Sequence, residues 1–407
     1  MSQTSVTKKT LTFLIAIFSL FVSGITFISI IFPAFIVSNL GIHSNNLQSL
    51  EIGENAYLVL LCNIVIIIFG IAHYKKKLPT TLQNTINNLL QKNISKKITV
   101  IIIFIILTPY VILTIPELSL DEESQAPDYQ IFLAAKKIFP FGKTTFTEAA
   151  EQNDRYVRMI LLIASLEIFQ NVKIIPFLGS IALLITTYFL TKEITKNRLA
   201  GIFSLLFVIQ SYTFLKYDSF AMYENFWVLF YVLSLYLIFK KFYISSISYI
   251  LSILTKAFTA IFLPLSVVFV FYSELGKKTK MLILFSYAIM IAILLGIWSL
   301  DSSVYGNILR FDLNQLFTAL AKTSYQLRFD HLFLISLLPL TFALIIKAKH
   351  GIQNASSVLF LITGSIFAGA IVEMLSFHFV ILPYRFVPTI VFIALGIGIL
   401  FNSTNKN

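Results

Sequence analysis

The sequence predicts an all-α polytopic membrane protein of about 12 crossings, and three observations carry that reading. The chain has 407 residues, of which 57% are hydrophobic and only 12% charged, with a mean hydropathy of +0.85; soluble domains carry roughly 25% charged residues. The apolar residues gather in runs long enough to cross a bilayer as helices. The basic residues sit in short clusters between those runs and alternate with acidic loops, the pattern that places cations in the cytoplasm. The net charge of +12 therefore implies no nucleic-acid partner, because the lysines and arginines form no continuous patch. Cys62 is the only cysteine and lies inside an apolar run, which excludes an internal disulfide and a cysteine metal site.

Taken in order, Lys8 and Lys9 precede an apolar stretch over residues 11–37, too long for a signal-peptide core and expected to be a retained span. A second span covers 56–72 and is closed by Lys75, Lys76 and Lys77. Residues 78–97 are polar, but Leu82, Ile86, Leu89 and Leu90 recur at helical spacing, which predicts a helix lying on the membrane surface. The third span, 98–115, delivers the chain to a long polar loop over 116–158. Of the 19 acidic residues, Glu117, Asp121, Glu122, Glu123, Asp128, Glu148, Glu151 and Asp154 fall in this one loop. The apolar segment 157–169 is short and interrupted by Glu167, so it is expected to lie on or dip into the outer face.

Residues 174–190 form a span ending in Lys192, Lys196 and Arg198; 199–215 return to the polar stretch KYDSFAMYEN; 226–239 lead back to Lys240 and Lys241. From there to Lys277, Lys278 and Lys280 runs an apolar segment with Lys256 at its midpoint. Basic clusters on both flanks require an even number of crossings. Two crossings leave helices of about 15 residues, or roughly 22 Å, short of the roughly 30 Å hydrocarbon core. Lys256 then sits at an outer turn below the membrane surface, where polar backbone is tolerated only if it lines a cavity. An outward-facing cavity is the consequence. Residues 281–300 return outside to a second external loop, 301–331; 332–346, 358–377 and 386–401 complete the set, and no internal repeat is visible. Both termini are expected in the cytoplasm of a cell-membrane, multi-pass protein. Only Glu193 and Glu274 fall among the basic clusters, a separation that the topology did not use as input.

The external side collects Asp121, Asp128, Asp218, Glu224, Lys256, His378 and Arg385. Each has a plain reading. Asp128 can be a solvated loop carboxylate, Glu224 a helix-end residue favoured by the dipole, Arg385 a cation snorkelling to headgroups, and His378 an interfacial residue. Lys256 resists such a reading, since an ionisable residue within an apolar pair is functional by default. As a set they have a chemical logic. Two cations at the rim of a cavity can hold a lipid phosphate, and nearby carboxylates can accept a proton from an attacking hydroxyl.

These residues also resemble a known family. APDYQIFLAAKKIFPFG, IPFLGSIALLITTYFLTKEITKNRLAGIFSLLFVIQSYTF, FAMYENF, SILTKAFTAIFLP and LPYRFVP follow one another in an order similar to the GT-C glycosyltransferases, over residues 98–401. Within that superfamily the resemblance is to the protein mannosyltransferase and aminoarabinose transferase types, polytopic enzymes that use polyprenyl- or dolichyl-phosphate sugars. The resemblance implies a core over 98–407 carrying the large external loop, with 1–97 as an N-terminal two-span addition that bears the cytoplasmic amphipathic segment. It implies Asp128 as the catalytic carboxylate with Asp121 as its rival, Glu224 as a second catalytic carboxylate, and Lys256 and Arg385 as ligands of the donor phosphate. Asp128 is followed by Tyr129 where many members have Glu, and Glu224 lacks the Asp-x-Glu pair of the metal-dependent oligosaccharyltransferases; no cofactor and no metal ligand set is indicated. The expected partners are membrane lipids, a lipid-linked sugar donor and a protein, lipid or glycan acceptor, with transfer to a hydroxyl or amine at the outer face. A multi-pass transporter or lipid flippase is the alternative, and a non-catalytic scaffold subunit is a third.

Overall fold

The computed structural model describes residues 3–36, 50–92, 94–121, 124, 127–138, 156–299, 312–352, 354–375 and 382–401. These residues form helices, and no strand occurs among them. In chain order they are α1 (Gln3–Ile31), α2 (Ala56–Tyr74), α3 (Thr80–Gln91), α4 (Lys96–Thr114), α5 (Pro127–Ile138), α6 (Tyr156–Phe169), α7 (Ile174–Thr195), α8 (Arg198–Ile209) and α9 (Tyr212–Tyr217), followed by α10 (Phe226–Lys240), α11 (Phe242–Thr255), α12 (Leu263–Tyr272), α13 (Lys277–Ser299), α14 (Leu313–Leu327), α15 (His331–Lys349), α16 (Ala355–Leu375) and α17 (Val387–Leu400). Short 3-10 turns at Ile115–Ser119, Ala221–Tyr223, Ala257–Phe262 and Pro383–Phe386 join several of them.

Among the described residues, seven helical segments are long and apolar enough to cross a membrane: Thr7–Ile31, Ala56–Tyr74, Lys96–Ser119, Ile174–Thr195, His331–Lys349, Ala355–Leu375 and Pro383–Leu400. The helices α8, α10 and α11 and the segment Ala257–Tyr272 are apolar but shorter. The outer helices present large apolar side chains outward, Tyr57, Leu58, Leu61 and Ile68 on α2 and Ile101, Phe104, Ile105 and Leu113 on α4. Contiguous apolar exposure on this scale is unfavourable in water and neutral in lipid.

The packing centres on α17, whose residues are almost all buried against α7, α8, α15 and α16. Small residues permit this contact. Gly398 lies directly against Thr191, Ser204 and the Ala200 carbonyl, and a Cβ at Gly396 would stand 2.9 Å from Leu340. In lipid, where helix association gains little from hydrophobicity, such close backbone approach and interhelical hydrogen bonds supply the attraction. Ser204 Oγ donates to the Ala394 carbonyl (2.6 Å), and Ser365 pairs with Thr389 (2.8 Å). The N-terminal helix joins this core through Ser19–Thr363 and Ser23–Thr341, each at 3.0 Å.

Two sequence expectations change. The span over 199–215 is broken: α8 ends at Ile209, Ser211 caps α9 through Phe214 N–H (3.2 Å), and Asp330 accepts from Ser211 Oγ (2.5 Å) and Thr213 N–H (3.0 Å). The buried carboxylate of Asp330 substitutes for the helical bonds that the break gives up. The external loop over 301–331 contains α14, whose Ala319, Leu320, Thr323, Ser324 and Leu327 are buried against the bundle.

The tertiary contacts sort the helix ends into two groups. At one end Asn171 and Lys173 donate to the carbonyls of Leu118 and Glu117, Ser180 donates to that of Asp218, and Lys256 meets Tyr384. At the other, Arg198 donates to the Ile94 carbonyl, Lys240 pairs with Glu193, Lys347 donates to the Leu400 carbonyl and Tyr272 to that of Lys8. The helices α7, α8, α10, α11, α15 and α17 each run from one group to the other. With 15 and 14 residues, α10 and α11 are about 21–22 Å long, beside α7, which with 22 residues is about 33 Å long.

Candidate functional site

The site is built around the break between α11 and α12. At Lys256 the backbone is extended (φ −155°, ψ 111°); its N–H still closes α11 on the Ser252 carbonyl (2.9 Å), while its carbonyl accepts from Thr259 N–H (2.9 Å) to start the next turn. Pro264 in the first turn of α12 lacks an N–H and so favours a fresh helix start there. On the facing strand of chain, Pro383 opens the 3-10 turn that carries Tyr384 and Arg385, and Pro388 opens α17.

Three side chains converge. The Lys256 ammonium donates to Tyr384 Oη at 2.7 Å and stands 3.9 Å from the centre of the Tyr384 ring and 5.6 Å from that of Trp227. Arg385 Nε donates to the same Tyr384 oxygen at 3.3 Å. A phenol oxygen has two lone pairs and one proton. Both cations donate to that oxygen and the Tyr384 O–H keeps its own proton to donate, so three donors are gathered around one oxygen. The arrangement is anion-seeking.

Tyr384 is set by an aromatic stack. Its ring lies parallel to that of Tyr223 (4.7 Å, 20°), which stacks in turn on Phe220 (5.1 Å, 18°), and Tyr217 meets Tyr384 and Tyr223 edge-on. Next to Tyr223, Glu224 is 3% exposed and forms an ion pair with Arg158 of α6, Nε to Oε2 2.9 Å. Arg158 also donates to the Met222 carbonyl at 2.8 Å, so one buried guanidinium ties α6 to the 221–224 turn. Glu224 and Arg385 both lie close enough to act on the Lys256 charge.

Asp128 occupies the first turn of α5 behind Pro127, a position favoured by the helix dipole. It is half-buried. Its helix contributes Tyr129, Phe132 and Leu133 to an apolar cluster with Met159, which follows Arg158, and with Ala221, Met222 and Phe226, which lie on either side of Glu224. Asp121, by contrast, is exposed beyond the turn Ile115–Ser119. The structure thus brings Lys256, Arg385 and Glu224 together, holds Asp128 on an adjoining helix and leaves Asp121 in solvent. His378, Glu148, Glu151 and Asp154 lie outside the described residues.

Asp218, on the same stretch as Glu224, is 1% exposed, and among the described residues its Oδ1 has no hydrogen-bond partner. Burial pushes its carboxyl up to about 7; the hydroxyls of Tyr110 and Ser219 pull it down, and the Glu117 charge adds to the rise. Among the described residues, no group of three or more His, Cys, Asp or Glu side chains gathers as a metal site would require.

Sequence reasoning missed Arg158, Tyr384 and Tyr223. The signals were present: an arginine at the head of an apolar run, and a tyrosine beside each of Glu224 and Arg385. Comparison with known proteins finds no matching family model, no matching curated protein and no matching solved structure.

Proposed function

We propose that this chain is a multi-pass membrane glycosyltransferase that moves a sugar from a polyprenyl-phosphate donor to a hydroxyl or amine of an acceptor at the membrane surface. The observation that carries the reading is the convergence of Lys256 and Arg385, 129 positions apart by their numbering, on the single hydroxyl of Tyr384. Charge-assisted donors gathered at a membrane-embedded helix break suit a phosphate attached to a lipid, because the break lies within reach of the bilayer while its polar backbone needs water or ligand. The shortness of α10 and α11 beside α7 recesses that break below the ends of the longer helices, which supports the outward-facing cavity and the larger number of crossings.

In this reading Lys256, Arg385 and the Tyr384 hydroxyl hold the donor phosphate. The acceptor oxygen or nitrogen attacks the anomeric carbon and forms a new bond there. The bond from that carbon to the phosphate oxygen breaks, and its electron pair leaves with the polyprenyl phosphate. The phosphate departs ionised, so cations suffice and no general acid is required. The acceptor's proton goes to Asp128, whose place in the first turn of α5 restricts its motion. Glu224, engaged by Arg158, holds the aromatic turn against Tyr384 and is a positioning residue.

The test is a transfer assay on purified, reconstituted protein with radiolabelled polyprenyl-phosphate sugars and a panel of hydroxyl and amine acceptors, run beside direct binding of unlabelled polyprenyl phosphate. Binding and turnover that both fall in Lys256→Met support the reading. Protein that binds polyprenyl phosphate no better than a neutral polyprenol overturns it.

A further inference from the structure

At the end of the bundle away from this site, the hairpin from α2 to α4 carries a cluster of cations that the proposed reaction does not use. Lys75, Lys76, Lys77, Lys92, Lys96 and Lys97 are all exposed. No Asp or Glu occurs in the sequence between Glu54 and Glu117, and among the described residues none of the six lysines belongs to an ion pair. Four other lysines at this end are engaged: Lys196 and Lys240 with Glu193, Lys280 with the Phe271 carbonyl and Lys347 with the Leu400 carbonyl. What sets the cluster apart from the general bias of basic residues toward one side is its size and the absence of any acidic residue over 55–116.

Between the two groups of three lies α3, with Leu82, Ile86, Leu89 and Leu90 on one face and Asn84, Asn88 and Gln91 on the opposite face. It has no buried residue, and Leu82 and Leu89 are exposed. Its position is fixed from both sides. Gln83 bonds His73 at 3.0 Å, Tyr74 meets His350 at 3.3 Å, and Arg198 holds the Ile94 carbonyl at 2.9 Å. Because α2 and α4 are both membrane-spanning segments, the short link between them keeps α3 at the bilayer boundary. The occupant that covers its apolar face is the lipid itself. Lys96 and Lys97 stand in the first turn of α4, where the helix dipole disfavours cations. An anion at that N-terminus removes the conflict and neutralises the lysines together.

We infer that the α2–α4 hairpin is a docking surface for anionic phospholipid headgroups, with the apolar face of α3 lying among the acyl chains and the six lysines drawing phosphate-bearing headgroups around it. Lipid phosphates complement an acid-free cluster of this size, and each lysine near an anionic surface contributes roughly a fivefold preference at low salt. The inference uses only the membrane-spanning character of the chain and stands apart from the proposed transfer reaction.

The experiment reconstitutes the full chain in nanodiscs of equimolar phosphatidylcholine and phosphatidylglycerol, extracts it with its tightly held lipids and measures their ratio by mass spectrometry. Wild type is expected to retain phosphatidylglycerol in excess by about tenfold or more. Changing all six lysines to Gln should return the ratio to that of the bulk, changing them to Arg should preserve the excess, and Lys277, Lys278 and Lys280→Gln should leave most of it in place. Elution as a single folded species qualifies each variant. If the six-Gln protein does not fold, wild type in high salt is read instead, and there the excess must fall. A bulk ratio in wild type, an equal excess in folded six-Gln protein or, where that protein does not fold, an excess in wild type that high salt leaves unchanged overturns the inference.

Discussion

The two ends of this bundle use cations in opposite ways. At the Tyr384 end, Arg158 is buried, and Lys256 and Arg385 are half-buried on a shared hydroxyl. At the α3 end, six lysines stand in the open with no carboxylate among them. The number of charges does not separate the two regions; desolvation does. A buried cation is held in one geometry by the groups that offset its desolvation, so it can recognise a single phosphate at a defined place. An exposed lysine keeps its water and its rotamers, and recognises a charged surface without fixing any one molecule on it.

The sharpest way to break the comparison is to remove the buried partner. Arg158→Ala takes one partner out of the buried Arg158–Glu224 ion pair and is expected to cost about 3–5 kcal/mol of stability, read as a large drop in thermal unfolding temperature. The paired change Arg158→Met with Glu224→Leu should recover most of that loss, because replacing both members of a buried pair by apolar groups is often neutral. If the single and the paired variant unfold together, the ion pair does not hold the turn.

Next in size is the proposed base. Asp128→Asn should preserve expression and polyprenyl-phosphate binding while lowering transfer by at least about 10²-fold. Asp121→Asn in the same preparation should turn over normally. The reverse result moves the base seven residues upstream and removes α5 from the mechanism.

The half-buried and exposed cations themselves are compared by Lys256→Met and Lys76→Met. Loss of a charge-assisted phosphate contact at Lys256 should weaken donor use by roughly ten- to a hundredfold, measured as transfer at limiting donor. Lys76→Met should leave it unchanged. Equal effects at both lysines would show that the Tyr384 end has no special claim on the phosphate.

The smallest effect is a pH dependence at Asp218. Its folded-state carboxyl is raised from 3.8 to about 7 by burial, so the fold prefers it protonated. The stability it contributes is fully present below the unfolded value and is lost as pH rises through about 7. Asp218→Asn keeps a neutral group of the same shape. It should unfold close to wild type at pH 4 and at a higher temperature than wild type at pH 8, with the difference opening across the interval between. Parallel profiles for the two proteins would mean that Asp218 is not buried as the structure has it.

Much of this molecule could be read from local pattern. Long apolar runs declare helices that cross lipid, since every backbone polar group in the bilayer must find a partner within the segment. The lysine clusters and acidic loops sort the helix ends correctly into the two groups that the contacts join. Lys256 announced the helix break. These are consequences of composition and short-range stereochemistry, which one sequence contains in full. The pairings are different in kind. That Lys256 and Arg385 meet at Tyr384, that Arg158 neutralises Glu224, that Asp330 breaks the span after Ile209 and that Asp218 is sealed from water all depend on which helices are neighbours. A helix apolar on every side, such as α16 or α17, has no polar face to show which side meets protein and which meets lipid. Its neighbours are chosen by shape, by the close approach that Gly396 and Gly398 allow and by hydrogen bonds such as Ser365 to Thr389, and those exist only once the helices have assembled.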